Sequence, residues 1–325
     1  MSNILTCVTP ETAVDRALEG LLGEGERLAK LRGSQHVVVV AETAAEVSEV
    51  AQKHSDLVVE ISDAGFQQYQ PENCLAVLAA VCQQLEPAIV LLGQDAYSQE
   101  VAARLGARLG GCSLGDAQAV ELVDDKVRVK RSVYGGKAVA YVQANLTPVV
   151  IWLRARAFAA EAARENVAQV ESKSVLSVEQ LAELPAVSIT AKQKEESTGV
   201  KLEDAQVIVS GGRGLGGPEP FQELDRLAEV MSGQVAASRA ACDSGWVPPG
   251  YQVGQTGKKV APELYLAIAI SGASQHLMGI SDAKVVAAIN TDPDAPIFKR
   301  AQIGLVEDWK QAVGPLREKL AELQD

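Results

Sequence analysis

Along the first hundred residues, short apolar runs alternate with stretches whose apolar positions recur every third or fourth residue. The runs are HVVVVA at His36–Ala41, LVVEI at Leu57–Ile61 and AIVLLG at 88–93, and the helical period occupies 43–53 and Pro71–Leu85. Uninterrupted apolar strands separated by helices predict a parallel sheet covered on both faces. Near Gly111 the pattern changes. AQAVELV, KVRVKRSV and KAVAYVQAN follow one another with only DD and YGG between them, which predicts an antiparallel meander attached to the same sheet, with PVVIWL from Pro148 as its next strand. Between 172 and 200 the periodicity weakens, and the polar run AKQKEESTG reads as a linker. AQVIVS then restarts the alternation, with strands expected at GQVAAS, LYLAIAI, KVVAAIN and IGLVED. The chain of 325 residues is longer than a single core usually supports. The expectation is an α/β protein of two domains, each a mainly parallel sheet flanked by helices: 1–190, a linker at 191–203, and 204–325.

Composition narrows the partners. The chain is 47% hydrophobic and 22% charged, as globular proteins are, and its net charge of -12 repels polyanions, so nucleic acid is not an expected partner. Five cysteines without a CxxC pair point to neither a disulfide framework nor a zinc site, and no metal is expected. No apolar run approaches the roughly 20 residues of a membrane span, and the first residues lack a basic-then-apolar leader. Membrane insertion is therefore not expected, and the expected location is cytoplasmic.

Chemistry concentrates after the strands of the second half. VIVSGGRGLGG packs five glycines into seven residues, and Gly212, Gly214 and Gly217 match GxGxxG, a spacing that lets backbone approach a pyrophosphate. Taken alone, this is as well read as a glycine-rich turn. Arg213 adds a donor fork suited to phosphate, and Pro218 and Pro220 delay the next helix. The following strand ends in Ser238-Arg239 rather than the carboxylate that would bind the ribose of NAD. No GK[ST] completes a Walker loop. QVGQTGK brings Gly254, Gly257 and Thr256 together as a second anion cradle; SGASQH places small residues and His276 at a strand-to-helix junction; DPDAP forms a sharp turn after Asn290. Each has a bland reading as a turn. Several such loops after successive parallel strands share one sheet edge, where open α/β sheets bind ligands. No nucleophile or acid/base motif accompanies them, so a cofactor must carry the chemistry, and a flavin suits the loops better than a nicotinamide.

The strings GGRGL, SRAACDSGWVP, QVGQTGKKVAPELYLAIAISGASQHL and INTDPDAPIF resemble the flavin-binding domain of electron transfer flavoprotein α subunits, densely from about 207 to 320. LLGQDAYSQEVAARLGARLGGCSLGDA and RSVYGGKAVAYVQ are similar more loosely. The resemblance implies a HUP-type N-terminal domain that carries the meander, contacts the β subunit and holds no flavin, followed by an FAD-binding domain of DHS-like type. It implies a heterodimeric electron carrier, not an enzyme in its own right. This carrier would accept electrons from flavin dehydrogenases, typically acyl-CoA dehydrogenases, and pass them to a quinone reductase or another acceptor. By position, Arg213, Ser238, Val253, Gly254, Gln255, Thr256, Ser271, Gly272, Ala273, Ser274, Gln275, His276, Asn290, Asp308 and Trp309 match the family's FAD contacts, and Arg239 matches an arginine near the isoalloxazine. His276 and the helix amides behind it would stabilise negative charge on the reduced ring, Thr256 would bond N5, and Arg239 would attract the added electron where water is excluded. The N-terminus, ILTCVTPETAVDR, departs from the apolar strand ending in acid and histidine with which many members begin, which bears on the first domain and its partner. An electron-bifurcating α subunit using NADH through its β subunit is the alternative within the family. A nucleotide-sensing module and a dehydrogenase with its own substrate are the alternatives outside it.

Overall fold

A computed structural model describes residues 2–10, 12–134, 138–154, 157–159, 161–177, 179–180, 183, 190–191 and 202–323. Most of the expected linker, 192–201, lies outside the described residues. The chain divides into two compact units, one of Met1–Val133 and Val139–Ala191 and the other of Tyr134–Ala138 and Lys192–Asp325.

The first unit runs β1 (Ile4–Cys7), α1 (Arg16–Arg32), β2 (His36–Ala41), α2 (Ala45–Gln52), β3 (Leu57–Ile61), α3 (Pro71–Leu85), β4 (Ile89–Leu92), α4 (Ala96–Arg108), β5 (Cys112–Ala117), β6 (Ala119–Val123), β7 (Lys126–Val133), β8 (Ala138–Gln143), β9 (Val149–Leu153) and β10 (Gln169–Lys173). Its seven-stranded sheet has the order β10-β3-β2-β1-β4-β9-β5, parallel throughout. Period-2 alternation divides each central strand between two cores. Val37 and Val39 join Leu5, Val59 and Val90 beneath α3 and α4, while Val38, Val40 and Val58 face Leu18 and Leu22 of α1. Asp15 caps α1 by accepting from the amides of Ala17 and Leu18, and Gly33 ends it in the left-handed region.

The arrangement differs from the sequence expectation in three places. The meander β6-β7-β8 is a separate three-stranded sheet, not an extension of the parallel one. PVVIWL becomes β9, which pairs in parallel with β4 and β5 and so is not the meander's next strand; its burial on both faces is what the larger sheet supplies. The stretch of weakening periodicity opens with the end of β10, a polar strand that forms the edge of the sheet beside β3.

An ion network ties the segment after β9 back to α1. Arg164 donates to Glu26 at 2.9 Å, to Asp56 at 2.5 Å and to the Ser55 carbonyl at 2.9 Å, and Lys30 reaches Glu26 at 2.8 Å. Burial pushes the Glu26 carboxyl up, but the hydrogen bonds from Lys30 and Arg164 outweigh it and hold the group below its ordinary range. Arg164→Met is expected to lower the stability of this unit by about 3 kcal/mol, the low end for stranding a buried charge because Lys30 remains. A urea titration in which the variant unfolds at the wild-type midpoint would show that the network is neutral.

The second unit runs β11 (Val207–Gly211), α5 (Phe221–Val230), β12 (Gln234–Ala237), α6 (Arg239–Asp243), β13 (Leu264–Ile268), α7 (Ser274–Gly279), β14 (Val285–Asn290), β15 (Ile303–Val306) and α8 (Trp309–Glu322). Its sheet order is β12-β11-β13-β14-β15, all parallel. Val209, Leu266 and Ile268 pack under α5 and α8 with Leu224, Leu227 and Val313. Ile208, Tyr265 and Val286 form the opposite core with Val253, Ile280 and Ile297. Successive connections leave β11 first to one side and then, through β13, to the other. That reversal opens a crevice at the carboxyl ends of β11 and β13, the position at which doubly wound sheets take ligands.

Candidate functional site

The crevice holds a cleft of about 620 Å³, within the roughly 300–1,000 Å³ of small-molecule sites. A glycine-rich turn borders it through Arg213 and Gly214. The Gly212 amide donates to the Ile268 carbonyl at 2.9 Å and the Gly214 amide to the Ala269 carbonyl at 3.3 Å, so the glycine-rich turn lies flat across the end of β13. A Cβ on Gly212 would drive into the Ala269 carbonyl, with the carbonyl carbon at 2.6 Å and Ile270 Cα at 2.8 Å. Ala269 itself sits at φ 55, a left-handed conformation that costs a non-glycine residue about 1–2 kcal/mol.

One wall is the 252–258 loop. The Val253 amide donates to the Ala237 carbonyl at 3.0 Å, the Gln255 amide to the Gln275 carbonyl at 2.7 Å, and the Gly254 amide to the Lys258 carbonyl at 3.1 Å. Gln252 donates to the Thr256 hydroxyl at 2.9 Å. These bonds pin the loop between β12 and α7. Opposite it, Asn290 donates to the Ile270 carbonyl at 2.9 Å and accepts from the Asp292 amide at 3.0 Å, which shapes the DPDAP turn.

Of the residues singled out by sequence, Arg213, Ser238, Arg239, Val253, Gly254, Gln255, Thr256, Ser271, Ala273, Gln275, His276 and Asn290 line this one cleft. Four stand elsewhere. Gly272 serves the turn: its φ is 80 and a side chain would meet Ile297 Cα at 2.5 Å. Ser274 is the exposed first residue of α7. Asp308 caps α8 by accepting from the Lys310 amide at 3.0 Å, and Trp309 packs against the core beneath that helix.

Charge in the cleft is mixed. Arg213 is exposed and lies at its mouth. Arg239 is 66% exposed and pairs with Asp243 at 3.2 Å, so water and a counter-charge both weaken its field. His276 is buried instead of lying at the surface, at 7% exposure. Its Nε2 is 3.0 Å from the Tyr265 hydroxyl. Burial pulls the imidazole down to about 4, against a smaller raising contribution from the Val253 backbone, so the ring is neutral near pH 7. Asp243, Gln252, Asp292 and Ala269 also line the cleft. Sequence reasoning passed over them because such residue types are common in loops. Only the adjacency of Gln252 to GQTG and of Asp292 to the turn signal marked their neighbourhood.

A family described as "Electron transfer flavoprotein domain" matches residues 5–180, and one described as "Electron transfer flavoprotein FAD-binding domain" matches 201–281. The electron transfer flavoprotein subunit alpha of Bacillus subtilis is 36% identical over 301 residues, 93% of this chain and 89% of that protein. The chain belongs to the electron transfer flavoprotein α-subunit family. The same-named protein of Pseudomonas aeruginosa is 37% identical over 288 residues, 88% of this chain and 90% of that protein. The probable electron transfer flavoprotein subunit alpha, mitochondrial, of Caenorhabditis elegans is 36% identical over 298 residues, 90% of this chain and 86% of that protein. As a member of this family the chain is a flavoprotein of electron transport, its second unit being the FAD-binding domain. Among the described residues, no helix is long and apolar enough to cross a membrane.

The cleft's own chemistry is compatible with FAD. Ser238 Oγ is a buried polar atom without a hydrogen-bond partner, and His276 Nδ1, which bears on the Val253 backbone, makes no hydrogen bond of adequate geometry, an arrangement that costs free energy unless a ligand completes it. The amides at the start of α7 and the guanidinium of Arg213 make a donor set suited to phosphate and carbonyl oxygens, while Gly212 and Gly214, whose own amides are spent on the Ile268 and Ala269 carbonyls, keep the turn free of side chains.

Proposed function

We propose that this chain is the FAD-carrying α subunit of a heterodimer with an electron transfer flavoprotein β subunit. It receives electrons from flavin dehydrogenases, typically acyl-CoA dehydrogenases, and passes them to a quinone reductase or another acceptor. The observation that carries this reading is the convergence of twelve of the sixteen sequence-marked residues on one cleft at the switch point of the second sheet. FAD supplies the redox chemistry when bound. The chain's residues bind and orient it: Arg213 holds phosphate oxygens beside the flat glycine turn, the 253–256 loop and Ser238 hold the flavin half, and Asn290 shapes the nucleotide end. Asp308 and Trp309, outside the cleft, secure the helix beside it. The subunit works as a carrier and transforms no substrate of its own, as the family to which it belongs implies.

The test is a visible spectrum of the chain co-purified with its β-type neighbour. One FAD per heterodimer is expected. Two per heterodimer would favour the bifurcating alternative, and a colourless complex would overturn the flavin reading. Arg213→Ala is expected to weaken FAD binding roughly 10- to 100-fold, the worth of a charge-assisted hydrogen bond. Titration calorimetry giving an unchanged Kd would remove Arg213 from the site.

A further inference from the structure

Tyr265 stands in the middle of β13 with its side chain fully buried, behind the cleft wall. We propose that it is a positioning residue that fixes the single ring proton of His276 on Nδ1, so that the imidazole offers the cleft wall a hydrogen-bond donor of fixed polarity. The phenolic oxygen is 3.0 Å from Nε2, with the rings 6.0 Å apart and tilted by 58°. A buried phenol must place its proton on an acceptor, and among the hydrogen bonds of the described residues Nε2 is the partner it has. Ser210 Oγ bears on the phenol's ionisation, yet forms no hydrogen bond of adequate geometry.

Counting unused groups decides the tautomer. With the proton on Nδ1, the phenol donates to the Nε2 lone pair and one donor, Nδ1–H, bears on the Val253 backbone without a hydrogen bond of adequate geometry. With the proton on Nε2, that nitrogen donates to the phenolic oxygen, leaving both the phenol O–H and the Nδ1 lone pair buried and unused. Each buried unused group is unfavourable by about 1–3 kcal/mol, so the first arrangement prevails. The depressed ionisation of the imidazole keeps it in the neutral form to which this choice applies. The role toward ligand rests on the FAD reading above: a rigid neutral donor favours whichever redox form carries more negative charge on the acceptor it meets, and no proton need move.

The experiment labels histidine with ¹⁵N in the full chain, complexed with the β-type subunit, and reads long-range ¹⁵N–¹H correlations with and without FAD. The chain has three histidines, and a His276→Asn spectrum assigns the signal. A neutral Nδ1–H ring at pH 7 is expected in the wild type, shifting toward the Nε2–H form in Tyr265→Phe. In that variant the preference for reduced over oxidised FAD, read from the midpoint potential, is expected to fall about tenfold, the worth of one hydrogen bond, with oxidised FAD still bound. A wild-type Nε2–H ring, a charged ring at pH 7, or an unchanged tautomer in Tyr265→Phe would each overturn the proposal. Should Tyr265→Phe not fold, the wild-type spectrum alone decides. Absence of FAD from the wild-type complex would defeat the functional reading while leaving the tautomer result standing.

Discussion

Gly212→Ala is expected to cost the second unit more than about 3 kcal/mol and to abolish stoichiometric FAD binding. The added Cβ has no direction in which to yield: it meets the Ala269 carbonyl carbon at 2.6 Å and Ile270 Cα at 2.8 Å, and backbone cannot swing aside as a long side chain can. Retreat of the Ala269 segment is opposed as well. That residue already holds a left-handed φ of 55, and its amide is tied to the Ile289 carbonyl at 2.8 Å. Gly216→Ala is the control, since its φ is 88 but nothing lies within 4 Å of the new carbon; only the left-handed penalty of about 1 kcal/mol applies. Thermal unfolding and FAD stoichiometry of the two variants read the contrast. If Gly212→Ala melted with Gly216→Ala and kept its flavin, close backbone approach would not be what the glycine supplies.

Acidification from pH 7 to about 5 is expected to remove about 2 kcal/mol from each unit, through one buried histidine in each. His36 is fully buried, its Nε2 against Thr6 Oγ1 at 2.8 Å and its Nδ1 against the His54 carbonyl at 2.7 Å. Burial brings its pKa to about 4, and the Arg164 charge adds to this, against the raising effects of the His54 carbonyl, Asp56 and Glu26. His276 lies at about 4 by burial as well. An unfolded histidine titrates near 6.5. Between these values the unfolded chain binds protons that the folded chain refuses, so stability rises with pH across this window and is fully present only above about 6.5. By about pH 4 the loss reaches roughly 3 kcal/mol per histidine. Glu26 and Asp56, held below their ordinary values, act in the same direction but only at lower pH, as protonation reaches their folded values. Urea titrations at about pH 7 and 5 check the slope. Equal midpoints would mean that neither ring is held neutral, and His276→Gln should flatten the second unit's response alone.

Sequence and structure agree where periodicity carries the information. HVVVVA and LVVEI became β2 and β3, and the helical stretch Pro71–Leu85 became α3 with the same bounds, because a strand covered on both faces must be apolar throughout. Where the controlling contacts are distant, the local pattern is silent. β10 reads QVESK and is largely exposed, so no alternation announces it; pairing with β3 makes it a strand. PVVIWL carries an apolar pattern that either sheet could use, and the neighbours β4 and β5 assign it to the parallel one. The same holds in the cleft. Glycine spacing, small residues after strands and Arg213 marked the loops, whereas the Arg239–Asp243 pair, the burial of His276 and the hydroxyl behind it depend on how α6, α7 and β13 lie together.

What the sequence determined by itself is the mainly parallel α/β character of the second unit and the loops that share one edge of its sheet, since both are written in short-range patterns of apolar, glycine and turn residues, together with the resemblance of those loops to one family. What only the tertiary structure decided is the electrostatic character of the site: which arginine is screened, which histidine is neutral and which buried donors lack partners. Ionisation and hydrogen-bond satisfaction depend on burial and on groups far apart in the chain, as Tyr265 and Val253 do for His276.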